Sequence, residues 1–245
     1  MNLTLDIGNT AVKWATFEGR TPLAFGCWQG GEGTEEQLAA VRKLATEAEG
    51  VLACASGTVP ELGFTLPLLD NTTPLPITVD YKTPATLGAD RLADACGAAG
   101  LHPGAPCLII DAGTCITVDF IDSHATYHGG AIMPGVGMSL RALNRFTAHL
   151  PLVDPGSVGR APVLGRSTEE CILAGTLGAT MLALAGFVAL YKGKAPGLRV
   201  LLTGGDATLL AADNNNGWEL VPNLVLAGLN EVLLATKDNK NATHK

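Results

Sequence analysis

Apolar residues alternate with small or polar ones through 3–7 and again through 11–17, with Asp6 inside the first run and Gly8-Asn9-Thr10 between the two. Period-two alternation around a tight polar turn predicts a β-hairpin, and a similar stretch at 23–28 predicts a third strand. Thr34, three residues before Gln37, has the spacing of a capping box and opens a helix over 35–48. A strand at 51–56 follows. Residues 60–76 are proline-rich and predict turns. A short strand at 77–80 leads to a helix around 89–99, and Pro103 and Pro106 bracket a candidate boundary.

The pattern then restarts. Strands are predicted at 107–111, 115–121 and 126–132, and a helix at 138–146. Residues 150–166 are irregular. A long apolar helix covers 168–191, a strand 200–203, a short helix follows Gly205, and a last helix covers 224–235 before a polar, frayed tail. The order β-β-β-α-β thus occurs twice. Each copy opens with a strand that ends in an acid followed by a glycine turn, Asp6 with Gly8 and, roughly a hundred residues later, Asp111 with Gly113. This coarse repeat predicts an α/β protein of two duplicated domains, 1–105 and 106–245, facing one another across a central cleft.

Composition narrows the function. The chain has 245 residues, 47% of them hydrophobic, which excludes a disordered protein. Its net charge is −7 and no stripe of Lys or Arg forms, which argues against a nucleic-acid partner but leaves small anions open. No basic segment precedes the first strand, so no signal peptide is expected. The six cysteines include no C-x-x-C pair, and five lie in apolar surroundings expected to be core. Reduced thiols in a cytoplasmic protein are the reading. The five histidines lack ligand spacing, so a zinc site is not expected. Residues 171–190 carry no charge over about twenty positions, the length of a membrane span. Half of that stretch is Ala, Gly or Thr and it follows a soluble-helix start. We read it as a core or dimer-interface helix, with no membrane contact.

The turn at Gly8-Asn9-Thr10, taken alone, suits an ordinary hairpin with a turn-capping Asp6. Two copies suggest more. Asp6 and Asp111, ending equivalent strands, would repel each other unless a cation lay between them. A hard cation bound also to phosphate oxygens resolves that conflict. The turn amides and the Thr10 and Thr114 hydroxyls can then bond phosphates, and Lys13 can offset their charge. No Walker-type loop occurs. A third turn, Gly204-Gly205-Asp206, reads either as a helix N-cap or as a place where adenine lies against bare backbone.

Six stretches, in order and spacing, resemble the type III pantothenate kinase family of the acetate kinase/sugar kinase/Hsp70/actin superfamily. They are DIGNTAVKWA (6–15), Y-x-x-P-x-x-LGADRLA (81–93), DAGTCITVDF (111–120), HGGAIMPG (128–135), GRSTEECILAG (165–175) and LLTGGDA (201–207). The resemblance implies two ribonuclease H-like, actin-like ATPase domains with mixed sheets. It also implies ATP-dependent phosphorylation of pantothenate to 4'-phosphopantothenate, the first step of coenzyme A synthesis. Asp90 is then the general base on the acceptor hydroxyl. Tyr81, Gly88, Ala89, Asp90, Arg91 and Thr168 bind the acceptor, and Asp6, Ile7, Gly8, Asn9, Thr10, Ala11, Val12, Lys13 and Thr114 hold ATP. Asp111 takes a monovalent cation, K+ or NH4+, and Asp6 a divalent ion, Mg2+, that accompanies the nucleotide. The family's assembly implies a homodimer with the acceptor pocket near its interface.

Local readings stand beside these. Asp90 suits the first turn of a helix, where the macrodipole favours an acid, and Arg91 suits a surface. Ser167 caps the apolar helix through a Ser-x-x-Glu box, which places Thr168 first in that helix. His128 suits a polar strand end, Asn144 and Arg145 a solvated helix face, and Cys115 a core position. Two other functions remain: another small-molecule kinase of the superfamily, and a non-catalytic transcription accessory protein.

Overall fold

The computed structural model describes residues 1–30, 32–157, 163–211 and 217–242. Strands β1 (Asn2–Ile7), β2 (Ala11–Glu18) and β3 (Thr21–Gln29) precede helix α1 (Glu35–Glu47), β4 (Gly50–Ala55), β5 (Thr78–Val79) and α2 (Ala89–Leu101). Then come β6 (Cys107–Ala112), β7 (Cys115–Ile121), β8 (Thr126–Pro134), α3 (Val136–Phe146), α4 (Thr168–Leu173), α5 (Ala179–Lys192), β9 (Arg199–Thr203), α6 (Ala207–Ala211), β10 (Glu219–Leu220) and α7 (Leu224–Ala242). Of the irregular stretch read at 150–166, residues 158–162 lie outside the described residues.

Two compact units form. The first contains residues 1–104, 123–128 and 223 onward. Its sheet runs β3-β2-β1-β4, antiparallel except where β4 pairs in parallel with β1. Leu3, Leu5 and Ile7 point to one face and pack with Val12, Trp28, Val41, Ala53 and Leu62. The α1 capping box forms as read: Gln37 N–H donates to Thr34 Oγ1 at 3.3 Å, and Thr34 N–H donates to the Gln37 side chain at 2.8 Å.

Helix α7 is the main departure from chain order. Reading along the sequence assigns it to the second domain, yet it packs in the first unit against α2, β1 and β4. Leu226, Leu229 and Val232 are buried there. Polar ties fix its register: Asn2 donates to Asn230 Oδ1 at 2.9 Å, and Asn230 donates to the Gly19 carbonyl at 2.8 Å. Arg20 grips Glu231 with both ends of its guanidinium at 2.6 and 2.8 Å. The α2–α7 contact is backbone on backbone. A methyl group on Gly228 would collide with the Ala93 carbonyl, and one on Gly97 would stand 2.9 Å from the Leu224 carbonyl oxygen. The helix also runs to residue 242, past the expected end at 235, because its later turns still rest on β1 and β4 (Lys237 Nζ donates to Asn2 Oδ1 and Glu49 Oε2 at 3.0 and 2.8 Å).

The second unit contains residues 105–122 and 129–222. Its strands lie in the order β10-β9-β6-β7-β8, with β6 antiparallel to β7 and parallel to β9. Leu108, Ile110, Ile116 and Val118 pack with Leu173, Leu177, Leu184, Val188 and Trp218 to form its core. The apolar helix expected at 168–191 is not one regular helix. A π-helical turn, Ala174–Gly178, joins α4 to α5, and the buried Thr176 hydroxyl donates to the Ile172 carbonyl at 2.7 Å. The stretch Thr168–Lys192 is long and apolar enough to cross a membrane, and 39% of its most apolar window is buried within the protein. Leu182 and Leu190 stand out from it, 69% and 64% exposed.

The cysteines correct one expectation. Cys54, Cys96 and Cys107 are buried, but Cys27, Cys115 and Cys171 are exposed, and all six are free thiols. An apolar neighbourhood in sequence does not say which face a residue takes. Cys27 lies on the edge strand β3, Cys115 opens β7 straight after a turn, and Cys171 takes the outer side of α4.

Gly228→Ala forces backbone apart where α2 and α7 meet. We expect it to lower the free energy of unfolding by about 1–3 kcal/mol, measured by urea denaturation.

Candidate active site

In the first unit, strand register assembles the chemistry. Asp6 near the end of β1 lies opposite Lys13 on β2 and Cys54 on β4. Residues directly opposite in a sheet share a face, so carboxylate, ammonium and thiol form one row. Cys54 Sγ donates to Asp6 Oδ1 at 3.5 Å. Gly8 N–H donates to the Ala11 carbonyl at 3.0 Å and closes the turn. The turn is seated on the end of β4: the Ser56 and Gly57 amides both donate to the Ile7 carbonyl at 2.9 Å, and a Cβ on Gly57 would strike the Gly8 carbonyl. Asn9 and Thr10 are left exposed at the tip. Ile7 and Val12 are fully buried core residues, so their side chains face away from solvent and only their backbone can serve a ligand.

Burial pushes the Asp6 carboxyl above its ordinary range, Lys13 and the Cys54 thiol pull it back, and the charge of Asp90 pushes it up again. Asp6 thus feels the charge of the helix start that carries Gly88-Ala89-Asp90-Arg91. Gly88 precedes α2 as its N-cap, and its bare Cα makes room for the Asp90 carboxylate, which also accepts from Arg91 N–H at 2.8 Å. Arg91 is not the surface residue of the local reading: it is 6% exposed. Its guanidinium carbon lies 6.0 Å from the ring centre of Tyr81 and 6.0 Å from that of Tyr127. His128 Nδ1 lies 3.2 Å from Asp80 Oδ2, so this strand position is paired across to β5's end rather than merely solvated.

In the second unit, three stretches distant in sequence converge. Asp111 ends β6 opposite Thr203 of β9. Gly113 N–H donates to the Cys115 carbonyl at 2.9 Å, and Gly135 N–H donates to the Thr114 carbonyl at 3.1 Å. Gly135 has no room for a Cβ against the Gly113 and Thr114 carbonyls. Gly204, at φ +95°, lies against the Asp111 carboxylate and the Ala112 carbonyl, a position closed to any larger residue. Asp206 N–H donates to the Ala112 carbonyl at 2.8 Å, burial raises the Asp206 carboxyl, and Arg141 opposes that shift. The DAGT, PG and GGD elements are thus one cluster. Thr168 is exposed at the first position of α4, beside Ser167, whose Oγ accepts from Glu170 N–H at 3.2 Å.

Two residues here escaped the sequence reading. Cys54 acquires its place from parallel pairing, which no local pattern reveals. Tyr127 precedes the HGG stretch and signals only a buried strand aromatic.

Among the described residues no cluster of three or more His, Cys, Asp or Glu could by itself hold a metal.

Residues 61–190 match the family model of type III pantothenate kinase. The chain is 39% identical over 239 residues to a type III pantothenate kinase of Bacteroides fragilis, covering 95% of this chain and 97% of that one. It is 38% identical over 252 residues to that of Phocaeicola vulgatus, at 95% and 98% coverage. Among solved structures, the activator of the 2-hydroxyisocaproyl-CoA dehydratase from Clostridium difficile with bound ADPNP superposes with a TM-score of 0.55, 16% identity and coverage of 99% of this chain and 96% of that one. That likeness is one of fold, an α/β architecture with mixed sheets. With near-full-length identity of this order, the chain belongs to the type III pantothenate kinase family.

Proposed function

We propose that this chain transfers the γ-phosphoryl group of ATP to the primary hydroxyl of pantothenate, giving 4'-phosphopantothenate at the first step of coenzyme A synthesis. The observation that carries the reading is the row of Asp6 and Lys13 at the Gly8 turn, in the same unit as the Gly88-Ala89-Asp90-Arg91 start of α2. A carboxylate base and a phosphate turn within one unit are the parts that phosphoryl transfer needs. Family membership supplies the substrates.

Asp90 accepts the hydroxyl proton as the oxygen attacks. A loose phosphoryl transition state needs its nucleophile positioned and deprotonated late, which suits a carboxylate. Arg91 holds the pantothenate carboxylate, and Tyr81, Gly88, Ala89 and Thr168 line the acceptor. The exposed amides and side chains of Asn9 and Thr10, with the backbone of Ile7, Gly8, Ala11 and Val12, hold ATP phosphates. Lys13, in the row with Asp6, offsets their charge, and Thr114 adds its hydroxyl. Asp6 is the ligand for Mg2+ and Asp111 that for K+ or NH4+. When bound, these ions neutralise phosphate charge.

Each unit has three strands, then helix, then a strand parallel to the first, with α1 before β4 and α3, α4 and α5 before β9, which supports the reading of a duplicated pair. Exposed Leu182 and Leu190 on α5 support a homodimer with the acceptor pocket near its interface. Free thiols and an acidic surface suit a cytoplasmic enzyme with neither nucleic-acid nor membrane partners.

Asp90→Asn should lower kcat about a hundredfold or more while the affinity for an ATP analogue stays within about threefold. Coupled ADP-release kinetics and calorimetric titration check both halves, and wild-type-like turnover would remove Asp90 from its role. Replacing K+ by Na+ or Tris should depress activity. An unchanged rate across those salts would detach Asp111 from a cation. Asp6 predicts a gain as well as a loss. Its folded pKa is raised, so its contribution to stability is full below the unfolded value and is lost as pH rises through the folded one. Above that folded value the charge on buried Asp6 therefore works against the ligand-free fold. Asp6→Asn should abolish turnover yet raise the melting temperature of the ligand-free protein, and that gain should vanish at acid pH.

A further inference from the structure

Arg91 is held by more than its place in the GADR stretch. Its guanidinium lies over the junction of two neighbouring aromatic rings, those of Tyr81 and Tyr127, each centre 6.0 Å from the guanidinium carbon. The rings themselves are 6.1 Å apart and tilted by 48°. Tyr81 is half-buried and follows directly on β5's end, whereas Tyr127 is completely buried and sits at the second position of β8. Backbone pairing locks the two together. Val79 lies opposite Tyr127 in the parallel β5–β8 pair, Thr78 N–H donates to the Ala125 carbonyl at 2.9 Å, and Asp80 N–H donates to the Tyr127 carbonyl at 2.9 Å. The His128–Asp80 contact closes the same junction from outside.

A guanidinium has no preferred direction on a flexible stem, but one seated over the junction of two fixed rings has fewer orientations open to it. Bidentate grip of a carboxylate depends on that orientation. We propose that Tyr127 is a positioning residue for acceptor specificity: its ring, inaccessible to any ligand, fixes the Arg91 guanidinium so that the fork meets an acceptor's carboxylate. The two-residue strand β5 holds the second ring beside it. This inference rests on the reading of Arg91 as the carboxylate's partner.

The test compares Tyr127→Leu and Tyr127→Phe with the wild type on two acceptors, pantothenate and a neutral amide of pantothenate that keeps the primary hydroxyl. Tyr127→Leu should raise KM for pantothenate about tenfold with KM for ATP within about twofold, the size of a lost cation–π contact. Tyr127→Phe, which retains the ring, should restore KM to near the wild-type value. On the neutral amide, Tyr127→Leu and wild type should coincide. A purely structural role would instead damage both acceptors and both substrates alike, and that result overturns the proposal. So does a Phe variant as impaired as the Leu variant. Should Tyr127→Leu not accumulate folded, Tyr127→Met, closer in volume, carries the same comparison. A wild-type enzyme inactive on pantothenate but active on another hydroxy acid would overturn the functional reading alone. The Tyr127 comparison would then be run on that acid and its amide.

Discussion

Asp6 carries its charge near the end of a strand whose neighbours are nearly all buried, and much of the first unit is arranged around that cost. An isolated carboxylate in such a place would take up a proton. Lys13 answers it across the antiparallel pair, the Cys54 thiol answers it across the parallel one, and the Gly8 turn opens the strand end to solvent. Asp90 works in the opposite sense and adds negative charge nearby. On the proposed function, the charge left over there is what the metal and phosphate ligands would answer, so stability and readiness to bind are set against each other at one residue.

The second unit solves a related problem with backbone rather than side chains. Gly135 and Gly204 let three chain segments meet at the end of β6 with no Cβ between them. Amides and carbonyls from all three then lie close to Asp111. Dense backbone of this kind offers many weak, fixed dipoles, which suits ligands whose charge is spread over several oxygens. Bulk at either of these glycines would cost the convergence itself.

Local chemistry was the readable part of the sequence. The Thr34–Gln37 cap, the β1–β2 hairpin and the glycine turns are decided by residues within a few positions of one another, so spacing alone identifies them. The site was readable where it is contiguous, in the turn after Asp6 and the Gly88–Arg91 run. What stayed hidden depends on partners far along the chain. Helix α7 looks like an ordinary amphipathic segment until Gly228 meets Ala93. Cys54 is an unremarked core thiol until parallel pairing sets it beside Asp6. Tyr127 is a strand aromatic until it covers Arg91. The π-helical turn at Ala174–Gly178 escaped for a different reason: an extra residue in a turn leaves apolar periodicity almost intact over so short a span.

Helix α7 also has a bearing on synthesis. The first unit's sheet is complete once residue 55 has been made, and α2 once residue 101 has, but the helix that covers them is encoded after residue 223. A chain emerging from the ribosome therefore carries its first unit uncapped while the whole second unit is translated. During that interval the face of β1 and the Ala93–Gly97 strip of α2 lack their cover. The second unit, by contrast, has most of its own core within a continuous stretch and can close first. Completion of the first unit then waits for the last helix to be made, and the part left uncovered meanwhile is the part that holds Asp6 and Asp90.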